Sequence, residues 1–328
     1  MMRIGLMLCL AALFGASGVR AEDYPLGPVY FGDWRGLCDG ASVCTSLAYA
    51  SYQADPGYVL VRSGPKGARA ILFGRNGRTS TPWRAPLTFR IEIVDADGRV
   101  TWSKAIAGRN ESRTFLRAEI AKPRDLVRAE AALRTGQAVR LSIDGEPEPA
   151  TVISLNGVAR NLAWAQDHAK TVTGRPILRR APRISQTGLP KTPPASVQPC
   201  EDGGDPPVAA RLGRDQTLWL TACGVGYNRD TRITVTDDKG ALLPTPAIAP
   251  PLGQPFNPLD LQNLDYAPAT RTLTTTVYNN ATRSCGVLYA WIWDGAAFRF
   301  FTDRYTADCQ GLAPEDWPSG YRATVIDR

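Results

Sequence analysis

Six cysteines that follow an apolar N-terminal stretch constrain this chain more than any other feature. They form three pairs of neighbours along the sequence, namely Cys38 and Cys44, Cys200 and Cys223, and Cys285 and Cys309. An even number of cysteines in an exported chain is typical of a disulfide framework rather than of a metal or redox site. The sequence therefore predicts a fold held by disulfides, without free thiols for catalysis or for soft metals.

The first 21 residues have the layout of a secretory signal peptide. Arg3 gives a charged start, an apolar run of about a dozen residues follows, and small residues precede Glu22. The seventh cysteine, Cys9, lies inside this run. We expect cleavage near Ala21–Glu22 and a periplasmic or secreted protein. No later segment reaches the about 20 apolar residues of a transmembrane helix, so we expect none in the mature chain.

Composition narrows the fold and the partners. The 30 glycines and 26 prolines favour many turns and short strands over long helices. The net charge of +7 is spread along the chain, so we expect no nucleic-acid partner.

Residue patterns indicate strands through most of the chain. Residues 87–94 alternate apolar and polar side chains, and Asp97-Gly98 then predicts a hairpin turn. Helical spacing and end signals occur at 124–134 and 154–167. We therefore predict a mainly β (α+β) fold of two antiparallel β-rich domains, with two short helices in the first and disulfides as staples.

A proline- and arginine-rich segment, residues 174–198, separates the two predicted domains. It has no acidic residue and no periodicity, which is typical of a semi-extended linker. The predicted organisation is a signal peptide at 1–21, an N-terminal domain at 22–173, the linker at 174–198 and a C-terminal domain at 199–328.

Pairing of neighbouring cysteines is the economical disulfide pattern. The main alternative joins Cys200 to Cys309 and Cys223 to Cys285, which would connect the second domain end to end. Both patterns keep the bridges of each domain within it.

Several motifs resemble a family of exported bacterial proteins known as domain of unknown function 1176. They are Asp33-Trp34 with Cys38-Asp39-Gly40 and Cys44, the segment 154–165, Trp219 to Asn228, Ser284-Cys285-Gly286, Trp293-Asp294-Gly295, Cys309-Gln310-Gly311 and Trp317-Pro318. The first domain is also, more weakly, similar to the invasion-associated locus B family through its Gly-Asp-Trp…Cys opening. The resemblance implies export, disulfides and this architecture, and it supplies no catalytic residue.

Residues for catalysis or metal binding are scarce. His168 is the single histidine, and its place at the end of a predicted helix favours an exposed terminal position. Asp95-x-Asp97-Gly98 is typical of a β-turn, because a calcium loop needs further oxygen ligands. We expect no catalytic residue, no metal and no cofactor.

Aromatic residues are frequent in the second domain, where core packing is the simpler interpretation. The alternative is a platform for a sugar or a peptide. Its candidate members are Trp219, Tyr227, Trp291, Trp293 and Trp317. The basic stretch from Arg160 to Lys191 is a solvated surface that could also attract an anionic envelope component.

The function that these observations favour is a binding or interaction module for an envelope polymer, such as a glycan, or for another exported protein. The alternatives are a hydrolase that acts on an envelope polymer and a protein inhibitor. We expect that the protein is not an enzyme.

Overall fold

The computed structural model describes residues 28–51, 56–76, 87–110, 115–145, 150–171, 176–201, 203–251 and 261–327. The predicted signal peptide, residues 1–21, lies outside the described residues. Strands dominate the described part of the chain, and two α-helices interrupt them. The predicted mainly β class with antiparallel sheets, two helices and disulfides is confirmed.

The first half contains both helices and eleven strands of the described part. These elements are β1 (Val29–Phe31), β2 (Trp34–Cys38), β3 (Cys44–Tyr49), β4 (Gly57–Gly64), β5 (Gly67–Asn76), β6 (Thr88–Val94), β7 (Val100–Ala107), β8 (Arg109–Asn110), β9 (Phe115–Ile120), α1 (Pro123–Thr135), β10 (Ala138–Ile143), β11 (Thr151–Ser154) and α2 (Val158–Thr171). They build a seven-stranded sheet in the order β1-β2-β3-β4-β5-β9-β8 and a four-stranded sheet in the order β11-β10-β6-β7.

The two helices follow the end signals of the sequence to different degrees. Helix α1 has Pro123 in its first turn and ends before Gly136, as predicted. Helix α2 begins at Val158 rather than at Ser154, because Ser154 still belongs to β11. Gly157 blocks an earlier start: its φ is +89°, and a Cβ there would lie 1.8 Å from the carbonyl oxygen of Phe31.

The core of the first half lies between its two sheets and the helices. Side chains from the inner face of the seven-stranded sheet, including Trp34, Val59 and Phe73, are fully buried there. Ile91 of β6 and Leu141 of β10 face them from the other sheet. The alternation predicted for residues 87–94 is thus the inward and outward alternation of β6.

The second half consists of three small sheets. Its strands are β12 (Ile177–Arg180), β13 (Val208–Gly213), β14 (Gln216–Cys223), β15 (Asp230–Thr236), β16 (Leu242–Leu243), β17 (Asp265–Ala267), β18 (Thr272–Tyr278), β19 (Gly286–Trp293), β20 (Phe298–Thr306) and β21 (Thr324–Asp327). The sheets are ordered β13-β14-β15-β16, β17-β18-β19-β20 and β12-β21, and the last pair is parallel.

The outer face of the seven-stranded sheet is covered by residues 306–317, here called the docking segment. Leu312 and Trp317 of this segment pack on Leu47, Tyr58 and Leu60. Gln310 donates from Nε2 to the carbonyl oxygen of Ala50 at 3.3 Å. The two halves therefore share a second apolar core, which is distinct from the core inside the first half.

The segment predicted as a linker lies against the second half where it is described. Ile177 pairs with Thr324 between β12 and β21. The N–H of Ala181 donates to the carbonyl oxygen of Trp293 at 2.9 Å, and Ala181 is buried. Ser196 donates from Oγ to the carbonyl oxygen of Gly240 at 2.6 Å. Backbone and side-chain hydrogen bonds thus hold residues that sequence composition alone assigns to an extended linker. The domain limits themselves stay a prediction.

Three disulfides join Cys38 to Cys44, Cys200 to Cys223 and Cys285 to Cys309. This is the pairing of sequence neighbours, and the first bridge lies directly across β2 and β3. Among the described residues, no helix has the length and apolar character that a membrane crossing requires.

Candidate functional site

Four of the five candidate platform residues lie in the interior. Trp219, Trp291, Trp293 and Trp317 are each at most 3% exposed. Their indole N–H groups donate to Thr236 Oγ1 and to the carbonyl oxygens of Ala249, Leu212 and Leu312, respectively, at 2.7–3.0 Å. Each ring therefore has its polar atom satisfied inside the protein and is part of the core. Tyr227 differs, because 36% of it is exposed.

The other sequence candidates occupy simple structural positions. His168 is exposed near the end of α2, and its ring stacks on Trp164 with centroids 5.3 Å apart. Asp95 Oδ1 accepts from the N–H groups of Asp97 and Arg99, which makes the predicted turn. The described residues contain no group of three or more His, Cys, Asp or Glu side chains that could hold a metal ion.

A row of cross-strand neighbours on the outer sheet face leads from the shared core to solvent. Tyr30 lies opposite Arg35, Arg35 opposite Leu47, and Leu47 opposite Leu60. Leu60 and Leu47 are buried under the docking segment, the side chain of Arg35 is 14% exposed, and Tyr30 is 67% exposed. The docking segment thus covers most of Arg35 but leaves Tyr30, at the edge of the sheet, exposed.

Arg35 is fixed by residues of both halves. Its Nη1 forms an ion pair with the carboxylate of Asp308, and its Nη2 donates to the hydroxyls of Tyr49 and Thr306 at 2.9 Å each. The guanidinium also lies over the ring of Tyr49, 5.0 Å from the centroid. Three hydrogen bonds and a cation–π contact hold the guanidinium in one orientation at the junction of the halves.

Tyr49 remains a neutral phenol at this position. Burial raises its pKa to about 12, although the charge of Arg35 and the hydrogen bond with Thr306 act in the opposite direction. The hydroxyl therefore keeps its proton at neutral pH.

Two cavities flank the pair Tyr30 and Arg35, and both residues line both cavities. The larger has a volume of about 810 Å³, and its polar lining includes Asp33, Gln137 and Ser154 of the first half. The smaller has a volume of about 240 Å³. It is lined mostly by apolar or aromatic residues, namely Pro28, Tyr30, Leu37, Tyr305, Ala307 and Pro318. We call the two cavities with their shared pair the Tyr30–Arg35 site.

The larger cavity offers both hydrogen-bond donors and acceptors beside an exposed aromatic ring. The carboxylates of Asp33 and Asp308 accept, the guanidinium of Arg35 donates, and the amide of Gln137 does both. Its lining contains neither histidine nor cysteine. A volume of this size is within the range of cavities that hold small ligands.

Sequence reasoning missed every residue that defines this site. The alternation of Trp34, Arg35 and Gly36 does indicate that Arg35 faces away from Trp34 and its core. Its partner Asp308 lies 273 residues away, and a single sequence does not reveal that contact.

Comparison with known proteins matches about half of the chain to a family. Residues 168–324 match the model of a family described as protein of unknown function DUF1176. The motifs quoted before residue 168 lie outside this match. A crystal structure of invasion associated protein B from Bartonella henselae is similar at 16% sequence identity and a TM-score of 0.33, and the match covers 44% of this chain and 98% of that one. No curated protein matches the chain. The resemblance predicted from the cysteine and tryptophan motifs is thereby confirmed: over residues 168–324 the chain is similar to the DUF1176 family.

Proposed function

We propose that the protein is exported and acts outside the cytoplasm as a binding module for a hydroxyl-rich segment of an envelope polymer, such as a glycan. The ligand would lie in the larger cavity of the Tyr30–Arg35 site. The observation that carries this proposal is the exposed ring of Tyr30 beside the Arg35–Asp308 ion pair, at the mouth of an 810 Å³ cavity. The signal-peptide layout of residues 1–21 and the three disulfides support export.

The chemistry of the cavity favours hydroxyl groups over a purely apolar ligand. Each hydroxyl donates one hydrogen bond and accepts others, which suits a lining that mixes Asp33, Arg35 and Gln137. Tyr30 adds a rigid ring with few rotatable bonds, so its ordering on binding costs little entropy. Arg35 is already held by Tyr49, Thr306 and Asp308, so a ligand meets a preorganised donor.

A segment of another exported protein is the second candidate ligand. The smaller cavity favours it, because exposed Tyr305 and Tyr30 flank a lining that includes Pro28, Leu37 and Pro318. Aromatic and proline side chains of this kind are common where proteins bind extended peptides.

Calorimetric titration with solubilised cell-wall glycan fragments tests the leading proposal. We expect saturable binding that Tyr30→Ala weakens about tenfold, in the range of a ring stacked on a ligand. The melting temperature should stay unchanged, because Tyr30 is 67% exposed. Val100→Ala is the matched control, since Val100 is 49% exposed on β7 in the other sheet.

Three results would count against this assignment or redirect it. Equal affinity of the wild-type protein and Tyr30→Ala for the fragments would show that the ligand does not bind at the Tyr30–Arg35 site. Binding of an exported protein that Tyr305→Ala weakens, without any glycan binding, would favour the second candidate. Turnover of the fragments by the purified protein would replace the binding module with a hydrolase. Mass spectrometry of the exported protein tests the separate prediction that the mature chain starts near Glu22.

A further inference from the structure

Arginines from both halves converge where the docking segment ends. Arg62 of β4 donates from Nη2 to the carbonyl oxygen of Glu315 at 3.3 Å. Arg304 of β20 donates from Nη1 to the same oxygen. Because one carbonyl oxygen accepts from both, the two guanidinium groups lie side by side.

Arg322 adds a third positive charge to this pair. Arg322 is exposed, and its backbone pairs with Thr302 of β20 in an isolated antiparallel β-bridge. The central carbon of its guanidinium lies 5.6 Å from the ring centroid of Phe301. Burial, and after it the charges of Arg322 and Arg62, lower the pKa of Arg304. Because Arg322 lies opposite Thr302, its side chain is on the same sheet face as that of Arg304, two residues further along β20.

The carboxylates of this region pair with Arg62 and Arg117 rather than with Arg304 or Arg322. Asp316 is 2% exposed and lies between Arg62 at 2.6 Å and Arg117 at 3.1 Å, and Glu119 lies 3.6 Å from Arg117, so two carboxylates offset these two arginines. Arg304 donates instead to the backbone carbonyl oxygens of Pro314 and Glu315. Within the described ranges, no carboxylate forms an ion pair with Arg304 or Arg322.

We propose that Arg62, Arg304 and Arg322 form a binding site for a tetrahedral oxyanion, such as a phosphate or sulfate group. Guanidinium groups bind such anions through paired N–H donors, and several of them around one anion add to affinity and geometry. The anion would supply the charge that the protein lacks here. It would also join the halves, because Arg62 belongs to the first half and the other two arginines to the second.

The exposed carboxylate of Glu315 allows a second substitution with the opposite expected effect on anion affinity. Its backbone oxygen already lies between Arg62 and Arg304, so its exposed side chain is a competitor for an anion that can be removed without touching the buried Asp316. Substitutions at Glu315 and Arg322 should therefore change anion affinity in opposite directions. Arg322 is the better arginine to replace, since Arg62 also holds the buried Asp316.

Calorimetric titration of the full mature chain with inorganic phosphate tests the site, and sulfate serves as a second probe. We expect saturable binding that Arg322→Gln weakens about tenfold. Glu315→Gln should tighten it a few-fold, as expected for an exposed charge. Arg128→Gln, on the exposed face of α1, changes the net charge equally and should leave the affinity unchanged. Circular dichroism verifies that each variant is folded.

A parallel arm separates a free anion from a lipid headgroup. Flotation with phosphatidylcholine vesicles that contain phosphatidylglycerol, at low and moderate salt, shows whether the same arginines bind a membrane phosphate. Binding of either probe that depends on Arg322 but not on Arg128 supports the site and shows whether its anion is a free ion or a lipid headgroup. No saturable binding of any probe, or equal losses with Arg322→Gln and Arg128→Gln, would overturn it. These results are independent of Tyr30, so they leave the proposed glycan site untouched.

Discussion

Replacement of Gly311 by alanine should disturb the contact between the two halves through a single added methyl group. Gly311 belongs to the docking segment and has a φ of +87°. The added Cβ would lie 2.2 Å from a ring carbon of Phe115. Phe115 has little room to move, because it is 5% exposed and stacks on Tyr58 with centroids 5.8 Å apart.

The expected loss has two parts. An alanine in the left-handed region costs about 1–2 kcal/mol. Forcing a methyl group into a packed core costs about 1–3 kcal/mol more. Gly311→Ala should therefore lower the free energy of unfolding by about 2–5 kcal/mol in total.

Gly145 separates the two parts, because its φ is also +87° and a Cβ there would meet no described residue beyond its chain neighbours within 4 Å. Gly145→Ala should show the backbone cost alone in urea unfolding followed by circular dichroism. Phe115→Leu makes room beside residue 311, so the double variant should lose less stability than the two single losses added together. If Gly311→Ala costs no more than Gly145→Ala, the docking segment does not pack on Phe115 as described.

Two further predictions concern the interior. Trp293→Ala should lower the free energy of unfolding by about 3–5 kcal/mol, measured in urea, because the ring is buried and its N–H donates to the carbonyl oxygen of Leu212. Burial raises the pKa of Tyr49 and of Tyr266 to about 12 from an ordinary 10.0. The folded protein thus binds these protons more tightly than the unfolded chain, so unfolding free energy should fall as pH rises from 10 to 12. The fall should be smaller in Tyr49→Phe, and an identical pH profile would contradict the assignment.

Local patterns in the sequence predicted local structure well. The turn at Asp97-Gly98 and the proline that begins α1 depend on neighbouring residues, and both are found. Local patterns did not predict the first residue of α2, because its position depends on the close approach of Gly157 to Phe31, a residue far away in the sequence. The conformation of the segment 174–198 also depends on contacts with residues distant in the sequence. Its composition favours an extended linker, yet residues 177–180 pair with β21 at the other end of the second half.

No local sequence pattern predicts the Tyr30–Arg35 site. The sequence favours tryptophans as platform residues, because large rings suit stacking on a ligand, but Trp219, Trp291, Trp293 and Trp317 are buried in the core. Arg35 and Tyr30 become a candidate site only because β1 reaches past the docking segment, while that segment places Asp308 beside Arg35. Long-range pairing of that kind follows from the tertiary packing of two halves, which a single sequence does not encode in any short motif.

The docking segment has a consequence for the order of synthesis. The strands of the seven-stranded sheet are made by residue 120, but Leu312 and Trp317 are made about 200 residues later, or on the order of 10–40 s at typical rates of synthesis, and the proposed export would deliver them in the same order. During that interval the apolar outer face with Leu47, Tyr58 and Leu60 has no cover from its own chain. A first half that folds before the second half is delivered is therefore exposed to aggregation, and a chaperone that shields one sheet face would protect it until the last strands arrive.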